Sequence, residues 1–258
     1  MSFKRLAISS AFLILFIYAG LVFSMFYFFR GSLLAETLFS ERTLYSIRLS
    51  IIAASVATAL SVFLAVPCAY ALSRFEFKGK QIIDTILEMP MILSPAALGA
   101  LILIFFNTPL GDFIQKKTFQ FVFAFAGIVL AQFITTSGIA VRLLKATLDE
   151  IPLRYEDVAR SLGASRFRAF CTITIPLAKR GIIASVMLTW AKALGEFGAT
   201  ITVAGSMAMK TETLPVALYM RLASADIEGT VILIFILLTI GLGILYISRF
   251  LISGAHHA

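Results

Sequence analysis

The chain has few charged residues and few of the side chains that bind metals or form disulfide frameworks. Of its 258 residues only 14% are charged, and it has two cysteines and two histidines. This scarcity excludes a disulfide-stabilised domain, and we predict no metal site because no metal-ligand spacing occurs. The sequence also lacks a Walker phosphate-binding loop and a nucleophile motif, so we expect no catalytic residue and no ATP hydrolysis in this chain.

Apolar residues, in contrast, make up 60% of the chain, including 24 phenylalanines. They form runs of about 20 residues, each long enough to cross a hydrocarbon core of roughly 30 Å. The first run is too long for a signal peptide, so we interpret it as a membrane span. With no internal repeat or linker, we predict an all-α membrane protein with a single domain over residues 1–258. The predicted spans lie near residues 6–29, 45–73, 82–106, 119–143, 181–205 and 229–252.

The formal net charge of +8 does not indicate nucleic-acid binding, because the basic residues lie between the apolar runs. One set of inter-span segments holds fourteen of the 22 Lys and Arg residues and the opposite set holds seven, with Lys192 inside a span. Cytoplasmic segments carry the basic excess in membrane proteins. We therefore predict a multi-pass protein of the cytoplasmic (inner) membrane with both termini in the cytoplasm.

A polar segment over residues 150–178 separates the fourth and fifth predicted spans, on the basic side. Pro152 suits a first helical turn, and Glu156 and Asp157 lie near the positive end of the helix dipole. Gly163 is placed to end this helix, and Ser165 can cap a second one. The pattern favours a compact helix–turn–helix protrusion that binds a soluble partner over a flexible solvated loop.

The second helix of this segment carries two aromatic residues and leads towards a proline. Phe167 and Phe170 are three residues apart, which predicts that they share one helix face. Pro176 is expected to interrupt the approach to the fifth span, because it lacks a backbone N–H.

The 150–178 segment resembles the cytoplasmic signature loop of ABC-importer permeases. That pattern has an acid followed by two small residues, a glycine six positions after the acid, and then Ile-x-Leu-Pro. Asp157, Gly163 and the run Ile173–Pro176 match it, with Asp in place of Glu. Val158 replaces a small residue and Ile175 replaces Leu, which are mild departures. The resemblance implies a fold similar to type I ABC importers, with this segment forming coupling helices in a groove of a separate ATPase subunit.

The same resemblance implies the partners and the residues at the ATPase contact. We expect a homodimer of this chain with two ATP-binding-cassette subunits, which would bind the ATP and Mg²⁺, so that this chain needs no cofactor. The expected coupling residues are Glu156, Asp157, Ala159, Ser161, Leu162, Gly163, Ala164, Ser165, Phe167, Ile173 and Pro176.

The fifth predicted span contains two charged residues. Lys192 and Glu196 are four residues apart, so on a continuous helix they share one face, and Thr200 continues that polar stripe. Charges inside a membrane are costly and are candidates for function, although a buried pair that fixes helix register is equally compatible with the spacing. A neighbouring stripe of small residues would allow another helix to approach closely: Ala191, Gly195 and Ala199.

The third predicted span contains two prolines, Pro90 and Pro95, which should kink or break it. A break inside a membrane is tolerated where protein or a water-filled cavity surrounds it. A simple kink and a cavity lining both remain open. The candidate translocation-pathway residues are therefore Glu88, Pro90, Ser94, Lys192, Glu196 and Thr200.

Four further stretches, KALGEFGATI, KTETLPVALY, MPMILSPAALG and FNTPLG, resemble the molybdate/tungstate and sulfate branch of these permeases, and its molybdate members most closely. The resemblance runs from about Ser50 to the C-terminus. It implies import of molybdate or tungstate delivered by an extracytoplasmic binding protein, which we expect to contact residues 107–118 and 206–228. A sulfate/thiosulfate permease, an ABC permease for another solute such as phosphonate or a polyamine, and an autonomous secondary transporter are the alternatives.

Overall fold

A computed structural model describes residues 3–253, with side chains as far as Tyr246. These residues form helices and connecting segments without a β-strand. The predicted domain limits and both predicted cytoplasmic ends lie outside the described residues. In chain order the helices are α1 (Phe3–Ser24), α2 (Gly31–Leu38), α3 (Glu41–Arg74), α4 (Lys80–Ile86), α5 (Met89–Ile92), α6 (Pro95–Phe106), α7 (Pro109–Lys117), α8 (Phe125–Asp149), α9 (Arg154–Ser161), α10 (Arg166–Ala169), α11 (Ile175–Leu194), α12 (Gly198–Ala204), α13 (Leu214–Ala223) and α14 (Ile227–Ser253), with a 3₁₀ turn at Met25–Tyr27 and a π turn at Phe170–Thr174.

Within residues 3–253, five helical stretches are long and apolar enough to cross a membrane, and a sixth is bent. The five are α1 with its 3₁₀ turn, α3, α8, the run from α10 through α11, and α14. The bent one is the third predicted span, in which α4–α5 and α6 meet at 113°. The prediction of an all-α membrane protein built from six apolar segments is confirmed, counting the bent pair as one.

The break in the third span follows from local chemistry. Leu93 and Ser94 are extended, and the Ser94 hydroxyl accepts a hydrogen bond from the Ala97 N–H at 3.3 Å, which starts α6. Pro95 occupies the first turn of α6, where its missing N–H costs nothing. Pro90 likewise lies in the first turn of α5. The prolines therefore start new helices, and the predicted break is confirmed.

The fifth predicted span differs from the expected single helix over 181–205. It begins earlier, because α10, the π turn and α11 form one apolar stretch of 29 residues over Arg166–Leu194. The expected interruption at Pro176 is wrong: the preceding π turn at Phe170–Thr174 changes the hydrogen-bond register, and Pro176 then lies in the first turn of α11. The span breaks instead at 195–197, after Leu194 and before α12.

The centre of the molecule is the packing of α3 along α8, with α11 against both. Small residues of α3 recur at every fourth position on the buried face and allow this close approach. These residues are Ala53, Ala57, Ser61, Ala65 and Ala69. The hydroxyls of Ser61 and Thr136 lie 3.1 Å apart across the interface.

The two helix breaks lie side by side because α6 packs against α12. A Cβ added to Gly198 would lie 3.0 Å from Cβ of Pro95, and one added to Gly99 would lie 3.0 Å from Cα of Ala199. These glycines let the two backbones approach at the start of α12. Irregular backbone from two spans thus meets within the membrane-spanning part of the chain.

Candidate coupling segment and intramembrane polar pair

The 150–178 segment has the local structure that the sequence predicts. Helix α9 ends before Gly163, whose φ of +91° is a left-handed conformation that favours glycine. The Ser165 hydroxyl then accepts a hydrogen bond from the Arg168 N–H at 3.2 Å and caps the next helix. The predicted helix, glycine turn and capped second helix are confirmed. The second helix is not a short separate one, since it continues through the π turn into α11.

Glu156 is the centre of a buried polar network that joins α9 to two membrane helices. Its carboxylate accepts hydrogen bonds from Tyr70 Oη and Thr174 Oγ1, both at 2.8 Å, and from Arg74 Nε at 2.9 Å. A further donor of Arg74 lies 2.9 Å from the carbonyl of Ile151. The side chains of Glu156 and Arg74 are only 6% and 7% exposed. Glu156 therefore faces the interior of the protein, whereas the sequence had predicted it among the residues that contact the ATPase.

The outward surface of the segment is apolar. Leu162 is 84% exposed, Phe167 76% and Val158 60%. Phe170 does not share this surface, because its ring packs against Tyr70 with centroids 4.6 Å apart. The expectation of one face for Phe167 and Phe170 is wrong, since the π turn starts at Phe170 and changes the helical spacing there.

The remaining predicted coupling residues fall into two groups by exposure. The exposed ones are Asp157, Ser161, Gly163, Ser165 and Pro176, and the half-buried ones are Ala159, Ala164 and Ile173. Asp157 pairs with Arg160 at 3.4 Å on the surface. The segment thus presents exposed apolar side chains among charged ones, an arrangement typical of a protein-binding surface.

Lys192 and Glu196 form the ion pair that their spacing predicts, but across a helix break. Lys192 Nζ lies 2.9 Å from one carboxylate oxygen of Glu196, and the other oxygen accepts a hydrogen bond from the Ala199 N–H at 3.1 Å. Lys192 lies in the last turn of α11, and Glu196 precedes α12. The positive charge of Lys192 therefore lies at the C-terminal end of α11 and the negative charge of Glu196 at the N-terminal end of α12, which is the arrangement that the helix dipoles favour.

The two members of this pair differ in exposure. The side chain of Glu196 is 1% exposed, whereas that of Lys192 is 42% exposed. Thr200 is buried in α12, and its hydroxyl lacks a hydrogen-bond partner among the described residues. The predicted stripe of Ala191, Gly195 and Ala199 is not the face of one helix, because Gly195 lies in the break.

The candidates of the third span lie in a second polar cluster. Glu88 forms an ion pair with Arg142 of α8, and Asp84 lies 4.0 Å from the same guanidinium. Ser94 caps α6 and Pro90 starts α5, as described above. The structure brings the two breaks together through Pro95 and Gly198.

Several residues of these networks escaped the sequence reasoning. Tyr70, Arg74 and Thr174 are distant from Glu156 in the sequence, and Arg74 was interpreted only as a topology signal. At the other end of α3 from Arg74, Arg42 donates two hydrogen bonds to the buried carboxylate of Glu212, at 2.7 and 2.6 Å. The sequence shows two adjacent acids, Glu156 and Asp157, but only the fold shows that Glu156 is buried and which residues are its partners.

Residues 57–255 match the family described as the binding-protein-dependent transport system inner membrane component. The chain belongs to this family of ABC-importer permeases. Solved structures of similar fold include a bacterial ABC transporter involved in the import of the acidic polysaccharide alginate. Its TM-score is 0.78 at 15% identity, over 97% of this chain and 94% of that one.

Relatives of this permease carry names for different solutes. The molybdenum transport system permease protein ModB of Haemophilus influenzae is 36% identical over 179 residues, covering 67% of this chain and 77% of that protein. The sulfate transport system permease protein CysT of Escherichia coli is 27% identical over 213 residues, covering 82% and 77%. The probable transport system permease protein NifC of Clostridium pasteurianum is 28% identical over 242 residues, covering 90% and 84%.

Proposed function

We propose that this permease carries molybdate or tungstate across the cytoplasmic membrane as a homodimer with two ATPase subunits. The ATPases bind and hydrolyse ATP with Mg²⁺, and this chain contributes no catalytic residue and no cofactor. An extracytoplasmic binding protein delivers the oxyanion. Membrane lipid surrounds the spans, and nucleic acid has no part in the function.

The observation that carries the proposal is the Glu156 network. Tyr70 and Arg74 belong to α3, and Thr174 leads directly into α11, so one carboxylate joins α9 to two membrane helices. A push on the exposed side of α9 therefore moves α3 and α11 with it, because buried, fully hydrogen-bonded groups resist separation. A flexible loop has no such connection. The 150–178 segment is suited to convert movement of an ATPase into movement of the spans.

The pathway in this proposal passes the two helix breaks, with Lys192, Glu196 and Thr200 on one side and Glu88, Pro90 and Ser94 on the other. Interrupted backbone within a membrane requires protein or water around it. Both breaks also occur where two spans touch, at Pro95 and Gly198. Substrate sites of many membrane transporters lie at discontinuous helices, which supports this placement.

Molybdate is favoured over sulfate by a somewhat higher identity, 34–36% to the molybdenum permeases against 27–32% to the sulfate permeases. Sulfate is the second candidate, because sulfate permeases match 66–82% of this chain at identities only slightly lower than those of the molybdenum permeases. The test is ATP-driven uptake of labelled molybdate by the permease reconstituted with its ATPase and binding protein. We expect strong uptake that tungstate blocks and excess sulfate does not. Blockage by sulfate would transfer the assignment to the sulfate branch, and absence of oxyanion uptake by an active complex would refute both.

The orientation can be tested with a cysteine that the chain already contains. Cys171 lies in the 150–178 segment and is exposed, whereas Cys68 is half-buried in α3. The basic-residue bias places Cys171 in the cytoplasm. A membrane-impermeant thiol reagent should label the protein in inverted vesicles and not in right-side-out ones. Cys171→Ser is the control that removes the signal, and labelling in right-side-out vesicles would contradict the orientation.

The binding protein is expected at the opposite face, on residues 107–118 and 206–228. Helix α7 and the segment before α13 carry exposed Lys117 and Lys210 there. Lys116 is paired with Asp112, and Arg221 with Asp226. These partly neutralised basic groups suit a surface that must release its partner after each delivery.

A further inference from the structure

Lys192 and Glu196 carry equal and opposite charges, but their side chains differ in how far they are exposed. Glu196 is 1% exposed, and its second carboxylate oxygen is already bound to the Ala199 N–H. Lys192 is 42% exposed. The carboxylate is thus enclosed by protein, and the lysine side chain is the accessible member of the pair. A pair that is neutral in sum therefore leaves its cationic side chain open to another molecule.

That ammonium lies deep in the membrane-spanning part of the helix. Lys192 lies twelve positions after Arg180, at the basic end of the span. This corresponds to about 18 Å at 1.5 Å per residue, in a hydrocarbon core of roughly 30 Å. A partly exposed lysine side chain at that depth is costly against lipid, so such residues face a bundle interior or a water-filled cavity. The adjoining breaks at Ser94 and 195–197 also require such surroundings.

We propose that Lys192 is the cation that contacts the permeating oxyanion, and that Glu196 is the residue that positions it. This inference rests on the proposed function and identifies a contact within that pathway. An ammonium has three N–H donors, of which Glu196 takes one, so two remain for an oxyanion. The anion competes with the nearby carboxylate for the ammonium. The contact is therefore weak enough for the anion to leave, as conduction requires.

Glu196 holds Lys192 in place through the break. Its carboxylate links the last turn of α11 to the first turn of α12, so the ammonium has a fixed position at the end of α11. A change in the angle between these helices would alter the distance between the two charged groups. The affinity of Lys192 for an anion is then tied to the conformation of the span.

The competing explanation is that Lys192 serves only to neutralise a buried carboxylate. A set of four chains separates the two: wild type, Lys192→Met, Glu196→Gln, and the double variant. Glu196→Gln keeps an oxygen that can accept from the Ala199 N–H, and the chain still carries the cation of Lys192. The double variant removes both charges together, so no buried carboxylate is left without a partner.

Each chain is purified with its ATPase, reconstituted with the binding protein, and assayed for labelled molybdate uptake. Co-purification of the ATPase and basal ATP hydrolysis check that each variant is folded. We expect Glu196→Gln to lower uptake in part, because Lys192 loses the carboxylate that positions it. The double variant should lose about a further tenfold or more, the size expected for one charge-assisted hydrogen bond. Lys192→Arg should keep the uptake level of the background in which it is made.

Equal uptake by Glu196→Gln and the double variant would overturn the inference and leave Lys192 as a neutralising partner. The wild-type chain reports separately on the proposed function. If it transports sulfate and not molybdate, the solute assignment fails, and the four chains are then compared with sulfate. If the wild type transports a neutral or cationic solute, both the function and the contact are refuted.

Discussion

Glu156 and Glu196 are two buried carboxylates in the same permease, each paired with a basic side chain, and they differ in what that base can reach. Arg74, the partner of Glu156, is 7% exposed, and Lys192, the partner of Glu196, is 42% exposed. Glu156 accepts from three side chains on two membrane helices. Glu196 accepts from one side chain and one backbone amide.

This difference in the exposure of the basic partner distinguishes a buried network that connects helices from a site that is open to another molecule. Both charged members of the Glu156–Arg74 pair are enclosed, and the donors come from elements that must move together. At Glu196 only the acid is enclosed, and the base remains accessible. Burial of the acid alone does not distinguish these two roles. The exposure of its partner does.

The largest effect is expected from Glu156→Ala, which leaves Arg74 buried without a carboxylate. Breaking one side of a buried ion pair costs about 3–5 kcal/mol. We expect a large fall in the melting temperature of the detergent-purified chain and loss of ATPase co-purification. The adjacent Asp157→Ala is the matched control, because an exposed substitution usually changes stability by less than about 0.5 kcal/mol. Equal melting temperatures for the two variants would contradict the role given to Glu156.

The next effect concerns the surface in front of this buried network. Leu162→Asp places a charge on the most exposed apolar side chain of the segment, and central apolar contacts in interfaces contribute about 2 kcal/mol or more. We expect at least a tenfold loss of ATPase affinity at unchanged stability, measured by titration of the purified subunits. Leu110→Asp is the control, since Leu110 is 61% exposed in α7, outside the coupling segment. If both variants bind the ATPase normally, the docking surface is elsewhere.

A smaller effect is expected from Ser165→Ala, which removes the cap after the glycine turn. Loss of such a cap costs about 1 kcal/mol. We expect a fall of a few degrees in melting temperature and a modest loss of uptake, with Ser165→Asn close to wild type because Asn also caps helices. A change as large as that of Glu156→Ala would show that the turn, and not the carboxylate network, holds the segment together.

The sequence predicted those features that depend on local chemistry. Pro90 and Pro95 predicted a kink or break in the third span, and Gly163 with Ser165 predicted a turn and a cap, since each residue acts on backbone groups a few positions away. The apolar runs predicted the number of spans, although the fifth begins earlier than expected and breaks at 195–197. The Lys192–Glu196 pair was also predicted, because four residues separate its members.

Features that depend on packing were beyond the sequence. The break at 195–197 and the continuation of the helix through Pro176 both follow from changes of backbone register that neighbouring helices stabilise. The inward orientation of Glu156 required Tyr70, Arg74 and Thr174, which reach it only in the folded chain. The unequal exposure of Lys192 and Glu196 likewise follows from packing.

The most direct test of the account is the number of molybdate ions moved per ATP hydrolysed by Gly163→Pro in the reconstituted complex. Gly163 has φ +91°, which proline cannot adopt, so the turn between the two helices must change. Gly79→Pro is the matched control, with φ +90°, open space around it and a position in a different inter-helix turn. The account predicts that Gly163→Pro hydrolyses ATP with little uptake, while Gly79→Pro keeps the wild-type ratio. A wild-type ratio in Gly163→Pro would contradict the claim that the 150–178 segment transmits the movement of the ATPase.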